Sequence, residues 1–380
     1  MAKLKAASLA ELHLRRSTKW REFPADVLPL PVAEMDFEIA KPIRDVLGEM
    51  IAGSDTGYLG PLPELGINFA KFAKSRWGWE VDPAQVFTAT DVGVGMVEMA
   101  RMIVNPGDLI MINSPVYHNF KNWISELKCN LYDAPLKKDG LHFTIDLAAI
   151  EEGYKRGVKI HFLCNPHNPV GTVFTKSELS MIADLAKKYG VMIFSDEIHA
   201  PLTYEAAEFT PFLAVSETAR EVGICVTAAS KSWNLAGLKC ATIITAHPKQ
   251  FAQAKSMPDA VHYRASLFGA VASATAYESV EWLDNAIETL DSNRKFVAHL
   301  LTEKLPSVGY RIPDCSYLAW LDLSSLNLGE NPGEVLLTQA KLALNSGISF
   351  GPESGQFVRL NFATSEEIIE EAISRIVSLT

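Results

Sequence analysis

The chain has 380 residues, 48% apolar and 21% charged, with no repeat or biased tract, which excludes a disordered chain or a solenoid and allows more than one core. Thirty-five basic residues against 45 acidic ones leave a formal charge of −10, and no Lys/Arg cluster stands out, so a small-molecule partner is expected rather than nucleic acid or a membrane. The start "MAKLKAASLAELHLRRSTKW" lacks an apolar core of signal-peptide length, no run approaches a membrane span, and five scattered cysteines show no metal-ligand spacing; the expectation is a cytoplasmic protein with reduced, mostly buried thiols and no metal site.

From about residue 85 to 245, short apolar runs alternate with helix-like stretches. "VFTA", "LIMIN", "KIHFLC", "VMIFS", "GICVTA" and "CATIIT" are too continuously apolar to have a wet face and read as buried strands. One intervening helix has both ends marked: Thr175 and Glu178 form a capping-box pattern before "SELSMIADLAKKY", and Gly190 follows its last turn. The alternation predicts an α/β domain with a mainly parallel sheet, in which ligands gather beyond the carboxyl ends of the strands. After a long helical stretch around "VEWLDNAIETLDSNRKFVAHLLTEKL" come the strand-like "GYRI", "YLAWLDL" and "FVRLNFA". The helix-like "GEVLLTQAKLAL" separates them and "TSEEIIEEAISRIVSL", with Thr364 and Glu367 as a second capping-box pattern, closes the chain. The organisation expected is a large domain over 46–284, a smaller α+β domain over 285–380, and an N-terminal segment, 1–45, packed on the smaller one.

Three polar stretches fall at predicted strand ends: "NPHNPVGT" at 165–172, "SDEIH" at 195–199 and "TAASKSWNLAGLK" at 227–239. A single lysine is most often a solvated surface residue, yet Lys231 directly follows an apolar strand among small and polar neighbours. Depressed in pKa by desolvation or a neighbouring cation, such an amine can form a Schiff base, and a buried carboxylate such as Asp196 can hold a heteroaromatic nitrogen protonated. Those are the two groups that pyridoxal phosphate requires of a protein.

With these residues in view, the chain resembles the fold-type I pyridoxal-phosphate enzymes of the aspartate aminotransferase superfamily, nearly end to end. "VAEMDF" at 32–37, "SDEIH", "SKSWNLAGLK", "SYLAWLDL" at 316–323 and "FVRLNFA" at 357–363 resemble more closely the MalY/PatB branch of cystathionine β-lyases. The resemblance implies a three-layer α/β/α large domain around a mainly parallel seven-stranded sheet, with pyridoxal 5'-phosphate as cofactor. It implies that Lys231 carries the cofactor and moves the substrate Cα proton, that Asp196 pairs with the ring nitrogen and that Asn168 donates to the ring oxygen. His199, where many aminotransferases have Tyr, would lie near the same oxygen; an ordinary structural histidine is the competing reading. Tyr117 would stack on the ring, and the backbone N–H groups of Val92 and Gly93, at a helix start after "TDVGVG", would hold the phosphate with Ser230 and Lys239.

Tyr58 matches the tyrosine that reaches the neighbouring subunit's phosphate, implying a homodimer with shared sites, and Arg359 matches the clamp on the substrate α-carboxylate. Some positions depart from the pattern. Lys239 stands for an Arg and Ala228 for a Ser in the phosphate cup, while Glu34 stands for an Asp and Pro31 for a Trp in the segment expected to face the substrate. The reaction implied is β-elimination from cystathionine, cysteine or another S-conjugate, with Lys231 as base and Tyr58 or Tyr117 at the sulfur. A pyridoxal-phosphate aminotransferase is the alternative on the same scaffold, and a regulatory role binding a transcription factor is a further one known in the branch.

Overall fold

A computed structural model describes residues 3–380. The expected N-terminal segment begins two residues earlier, and residues 1 and 2 lie outside the described ones. At the centre is a seven-stranded sheet whose order, edge to edge, is Val86–Ala89, Ala241–Ile244, Gly223–Thr227, Met192–Asp196, Val158–Cys164, Leu109–Ile112 and Asn130–Asp133. Ala241–Ile244 pairs antiparallel with both of its neighbours, and the strands from Gly223–Thr227 to Asn130–Asp133 pair in parallel.

The apolar runs form strands because both faces of the sheet are covered. Successive residues alternate between two buried clusters: Ile110, Ile112, Phe162, Phe194, Ile224 and Val226 pack on one face, Met111, Leu163, Ile193 and Cys225 on the other. Phe162 and Phe194 have no exposed surface, and each such burial contributes roughly 1.5–3 kcal/mol. Asn130–Asp133 was not singled out in the sequence because it is an edge strand, exposed at Asn130 and Leu131 and too polar to register as an apolar run.

Helix Lys176–Tyr189 has both of its expected ends. Thr175 Oγ1 accepts from the Glu178 amide at 3.2 Å, Glu178 accepts from the Thr175 amide at 2.8 Å, and Gly190 takes the left-handed conformation at φ 70°. The second expected capping box is displaced by one residue. The cap of Glu366–Val377 is Ser365, whose hydroxyl accepts from the Ile368 amide, because Thr364 is buried and its backbone carbonyl is taken by Asn293. "GEVLLTQAKLAL" is likewise only partly helical. Pro332–Gln339 is the helix, Lys341 breaks it at φ 55°, and Leu342–Ala343 pairs in parallel with Leu28–Pro29.

A second sheet, of four strands, has the order Gly309–Tyr310, Leu318–Asp322, Phe357–Asn361, Asn345–Ser346, all antiparallel. The N-terminal segment is tied to this part of the chain by the Leu28–Leu342 pairing, by the Asp36 amide on the Ala363 carbonyl and by the Asn361 amide on the Leu30 carbonyl. The helix Val280–Lys304 runs unbroken through residue 284, where the sequence suggested a boundary. Four of the five cysteines are buried and Cys129 is half-buried, and all are free thiols. Among the described residues no helix is long and apolar enough to cross a membrane, and no group of His, Cys, Asp and Glu has metal-site geometry.

Candidate active site

Strand register brings the three polar stretches together. Cys164 pairs with Asp196 and Asp196 with Val226, so "NPHNP", "SDEIH" and the Lys231 turn all leave the sheet at one edge. Beyond that edge lies a cleft of ≈ 620 Å³, walled on one side by the start of helix Val92–Arg101 and on the other by Pro31–Ala33 and Arg359.

Asp196 ends its strand inside the cleft wall, where its Oδ1 accepts the Ile198 amide at 3.1 Å. Burial drives its carboxyl up to about 7, with the Ile198 amide and the charge of Lys231 opposing. Lys231 lies on the single turn Ala229–Ser232, and its Nζ donates to the Ala33 carbonyl at 2.9 Å. Burial first, then the charge of Arg359, lowers the amine to about 8. The cleft thus holds a half-buried amine lowered to about 8 beside a buried carboxyl group.

Arg359 comes from the second sheet, opposite Trp320 and Asn345. Its NH1 donates to Asn168 Oδ1 at 2.9 Å, and its NH2 to Asn345 Oδ1 at 2.6 Å and to the Pro31 carbonyl at 3.1 Å. Its Nε is buried with no partner, and burial lowers the guanidinium to about 10. Because the Asn168 oxygen is taken by Arg359, its amide NH₂ is the group left to donate on the cleft side. His199 lines the cleft with Nδ1 3.1 Å from Ser316 Oγ, and burial holds its ring down at about 3, so it is a neutral imidazole.

Tyr117 lines the cleft with its ring edge-on to Trp123, 6.1 Å between centroids, and its hydroxyl accepts from Asn119 Nδ2 at 2.6 Å. Burial raises its phenol above the usual range. The helix expected after "TDVGVG" begins inside that motif, at Val92, with Asp91 capping the Val94 amide. Val92 and Gly93, whose amides as first-turn donors have no acceptor within the helix, line the cleft. Gly93 is required there by packing, since a Cβ would lie 2.9 Å from the Trp123 ring. Ser230 and Lys239 also line the cleft, and Lys239 Nζ sits 3.5 Å from Asp91 Oδ2, so an acid shares the cup with the cation.

Two expected residues stand apart from this wall. Glu34 does not line the cleft, whose N-terminal side is made by Pro31, Val32 and Ala33; its charge acts on Lys231, favouring the ammonium form. Tyr58 is 90% exposed and lies outside the cleft of its own chain. Conversely, His118, Asn119, Trp123 and Asn345 line the cleft without having been singled out. "SPVYHNF" carries two of them, His118 and Asn119, beside Tyr117, with Trp123 three residues further on, a usable signal, whereas Asn345 in "ALNSG" becomes recognisable only through strand pairing with Arg359.

These residues fit pyridoxal phosphate. The Asp196 carboxyl is pushed up to about 7 by burial against the charge of Lys231, the Lys231 amine lies near 8, and helix-start amides with Ser230 and Lys239 offer donors to an anion.

The family pattern for aminotransferase class I and II matches residues 25–376. The chain is 37% identical to cystathionine beta-lyase of Corynebacterium glutamicum, covering 98% of each chain. It is 31% identical to cystathionine beta-lyase PatB of Bacillus subtilis (strain 168), covering 92% of each. Cystalysin from Treponema denticola, whose crystal structure contains pyridoxal 5'-phosphate, superposes with a TM-score of 0.93 at 27% identity, over 100% of this chain and 98% of that one. Matched over its sheet, its cleft and nearly its whole length, the chain belongs to the aminotransferase class I and II family, in the branch of the MalY/PatB-like cystathionine β-lyases.

Proposed function

We propose that the protein is a pyridoxal-phosphate-dependent C–S lyase that cleaves L-cystathionine or a related cysteine S-conjugate to a thiol, pyruvate and ammonia. The observation that carries this reading is the meeting of Lys231, Asp196 and Arg359 in one cleft, in a chain whose near-full-length relatives are named cystathionine β-lyases. When bound, pyridoxal phosphate supplies an electron sink that stabilises negative charge at the substrate Cα.

The chain's own residues do the rest. Arg359 orients the substrate by its α-carboxylate, for which the unpartnered Nε is available, and a planar fork suits that group. Lys231 Nζ, near 8 through burial and the charge of Arg359, takes the Cα proton; the Cβ–S bond then breaks with its electron pair leaving on sulfur as a Cα=Cβ double bond forms, and water hydrolyses the released enamine to pyruvate and ammonia. A thiolate leaves readily because a thiol is a fairly strong acid for a leaving group, near 8.5. Asp196 would hold the ring nitrogen protonated, Asn168 and His199 would face the ring oxygen, Tyr117 the ring face, and the Val92–Gly93 amides with Ser230 and Lys239 the phosphate. Tyr58, exposed on its own chain, would act across a homodimer interface.

The test is a visible spectrum of the purified protein followed by L-cystathionine in the same cuvette. A cofactor band with pyruvate and thiol released in step, and no keto acid added, supports the lyase. Turnover only with an added keto acid supports an aminotransferase, and no band after adding pyridoxal phosphate overturns both.

A further inference from the structure

The segment 31–36 has no helix or strand, yet it forms a wall of the cleft and nearly every carbonyl along it is held by a side chain. Asn361 Nδ2 donates to the Val32 and Glu34 carbonyls at 2.7 Å each, and Arg359 to Pro31. The Ala33 carbonyl accepts two hydrogen bonds at 2.9 Å, from Tyr317 Oη and from Lys231 Nζ.

The segment is pinned on either side of that contact. Asn234, three residues beyond Lys231, accepts from the Met35 amide and donates to the Met35 carbonyl, both at 2.9 Å, as a neighbouring strand would. It does so at φ 59°, a conformation that Asn tolerates better than most residues. At the C-terminal end the Asp36 carboxylate, fully buried, accepts from Lys19 Nζ at 2.7 Å and Trp20 Nε1 at 3.0 Å. A buried ion pair is poor evidence of stability but a good registration device, because only one geometry satisfies both charges. Asp36 lies in "VAEMDF", and the chemistry assigned above does not use it.

We propose that Asn234 and Asp36 are positioning residues that hold the Ala33 carbonyl at the Lys231 amine, so that the amine, whenever it is free, is parked at the cleft wall beside Asp196. The proposal rests on the reading of Lys231 as the cofactor-bearing residue, and it assigns to the N-terminal segment the job of keeping that lysine in place while its amine is not bonded to the cofactor.

The test uses the full-length protein with its cofactor removed and no substrate. Lysine acylation by acetyl N-hydroxysuccinimide is followed peptide by peptide by mass spectrometry, and hydrogen exchange is measured in parallel. Asn234→Gly keeps the backbone freedom and removes both contacts to Met35. It is expected to label Lys231 severalfold faster than wild type and to speed exchange across 31–36, leaving exchange in the central sheet unchanged. Asn234→Asp, which keeps the acceptor for the Met35 amide, should fall between the two. Asp36→Asn, which removes the charge and turns one of the two acceptor oxygens used by Lys19 and Trp20 into a donor, should behave like Asn234→Gly; if it does not fold, Asn234→Gly decides alone. A folded Asn234→Gly that labels Lys231 at the wild-type rate with wild-type exchange overturns the proposal. Because neither cofactor nor substrate takes part, that result leaves the lyase reading standing, whereas failure of wild-type protein to release pyruvate and thiol sinks the lyase reading alone.

Discussion

Arg359 donates to the side-chain oxygen of Asn168 at 2.9 Å, which joins the residue expected to clamp the substrate carboxylate to the residue expected to face the cofactor oxygen. Asn168 leaves the central sheet and Arg359 belongs to the second one, so this bond ties the two sheets together across the cleft. Arg359→Lys keeps the charge and loses the fork, and KM for the amino-acid substrate should rise roughly tenfold to a hundredfold, the worth of a charged hydrogen bond or two. Asn168→Ala should raise KM as well by leaving NH1 without its acceptor. Steady-state pyruvate release from the double variant should show less than the sum of the two effects; strict additivity would mean the pair is not coupled.

The amine of Lys231 sits at about 8 because burial and the charge of Arg359 disfavour its ammonium form. A lysine depressed in this way becomes a free nucleophile above about 8 instead of above 10.5. Reconstitution of cofactor-free protein with pyridoxal phosphate, followed by visible absorbance, should therefore accelerate through that value and then level. Asp196→Asn removes an anion that favours the ammonium, so the midpoint should move to lower pH. A midpoint near that of an ordinary lysine contradicts the assignment.

Asp196 also makes a prediction about stability. Its carboxyl titrates near 3.8 when unfolded and is raised to about 7 in the folded protein by burial. Between those values the folded state keeps a proton that the unfolded state has released, so cofactor-free protein should lose stability as pH rises across that window. Asp196→Asn should flatten this dependence in thermal melts, and should lower lyase turnover by roughly 10²–10³-fold if the charge acts on the bound ring.

Tyr58, 90% exposed, reaches no cleft residue of its own chain, and a shared site predicts complementation. Tyr58→Phe and Lys231→Ala are each expected to be nearly inactive. Mixed dimers place both lesions in one site and leave the other intact, so an equal mixture of refolded chains should recover about a quarter of wild-type activity. Recovery of none would place Tyr58 outside the neighbouring site.

The displaced helix cap can be checked by stability alone. Ser365→Ala removes the hydroxyl that accepts from the Ile368 amide and should cost about 1 kcal/mol in urea unfolding. Thr364→Ala removes a buried hydroxyl with no partner and should cost less. The reverse ranking would restore Thr364 as the cap.

Much of the central sheet was legible in the sequence because both of its faces are buried, which turns strands such as "VMIFS" and "GICVTA" into unbroken apolar runs. The positions of Lys231, Asp196 and Asn168 were legible for a related reason: parallel strands end at one edge, and a polar residue placed just past an apolar run is carried to that edge by the register alone. The sequence could not reveal contacts made between segments far apart along the chain. Nothing local says that Asn345 pairs with Arg359, that Ala33 rather than Glu34 walls the cleft, or that Asn234 grips Met35 across 199 residues. Side-chain chemistry and strand register, both local, determined what the site is made of; long-range hydrogen bonds, formed only once the two sheets and the N-terminal segment have packed, decided where the Lys231 amine rests and how far its pKa falls.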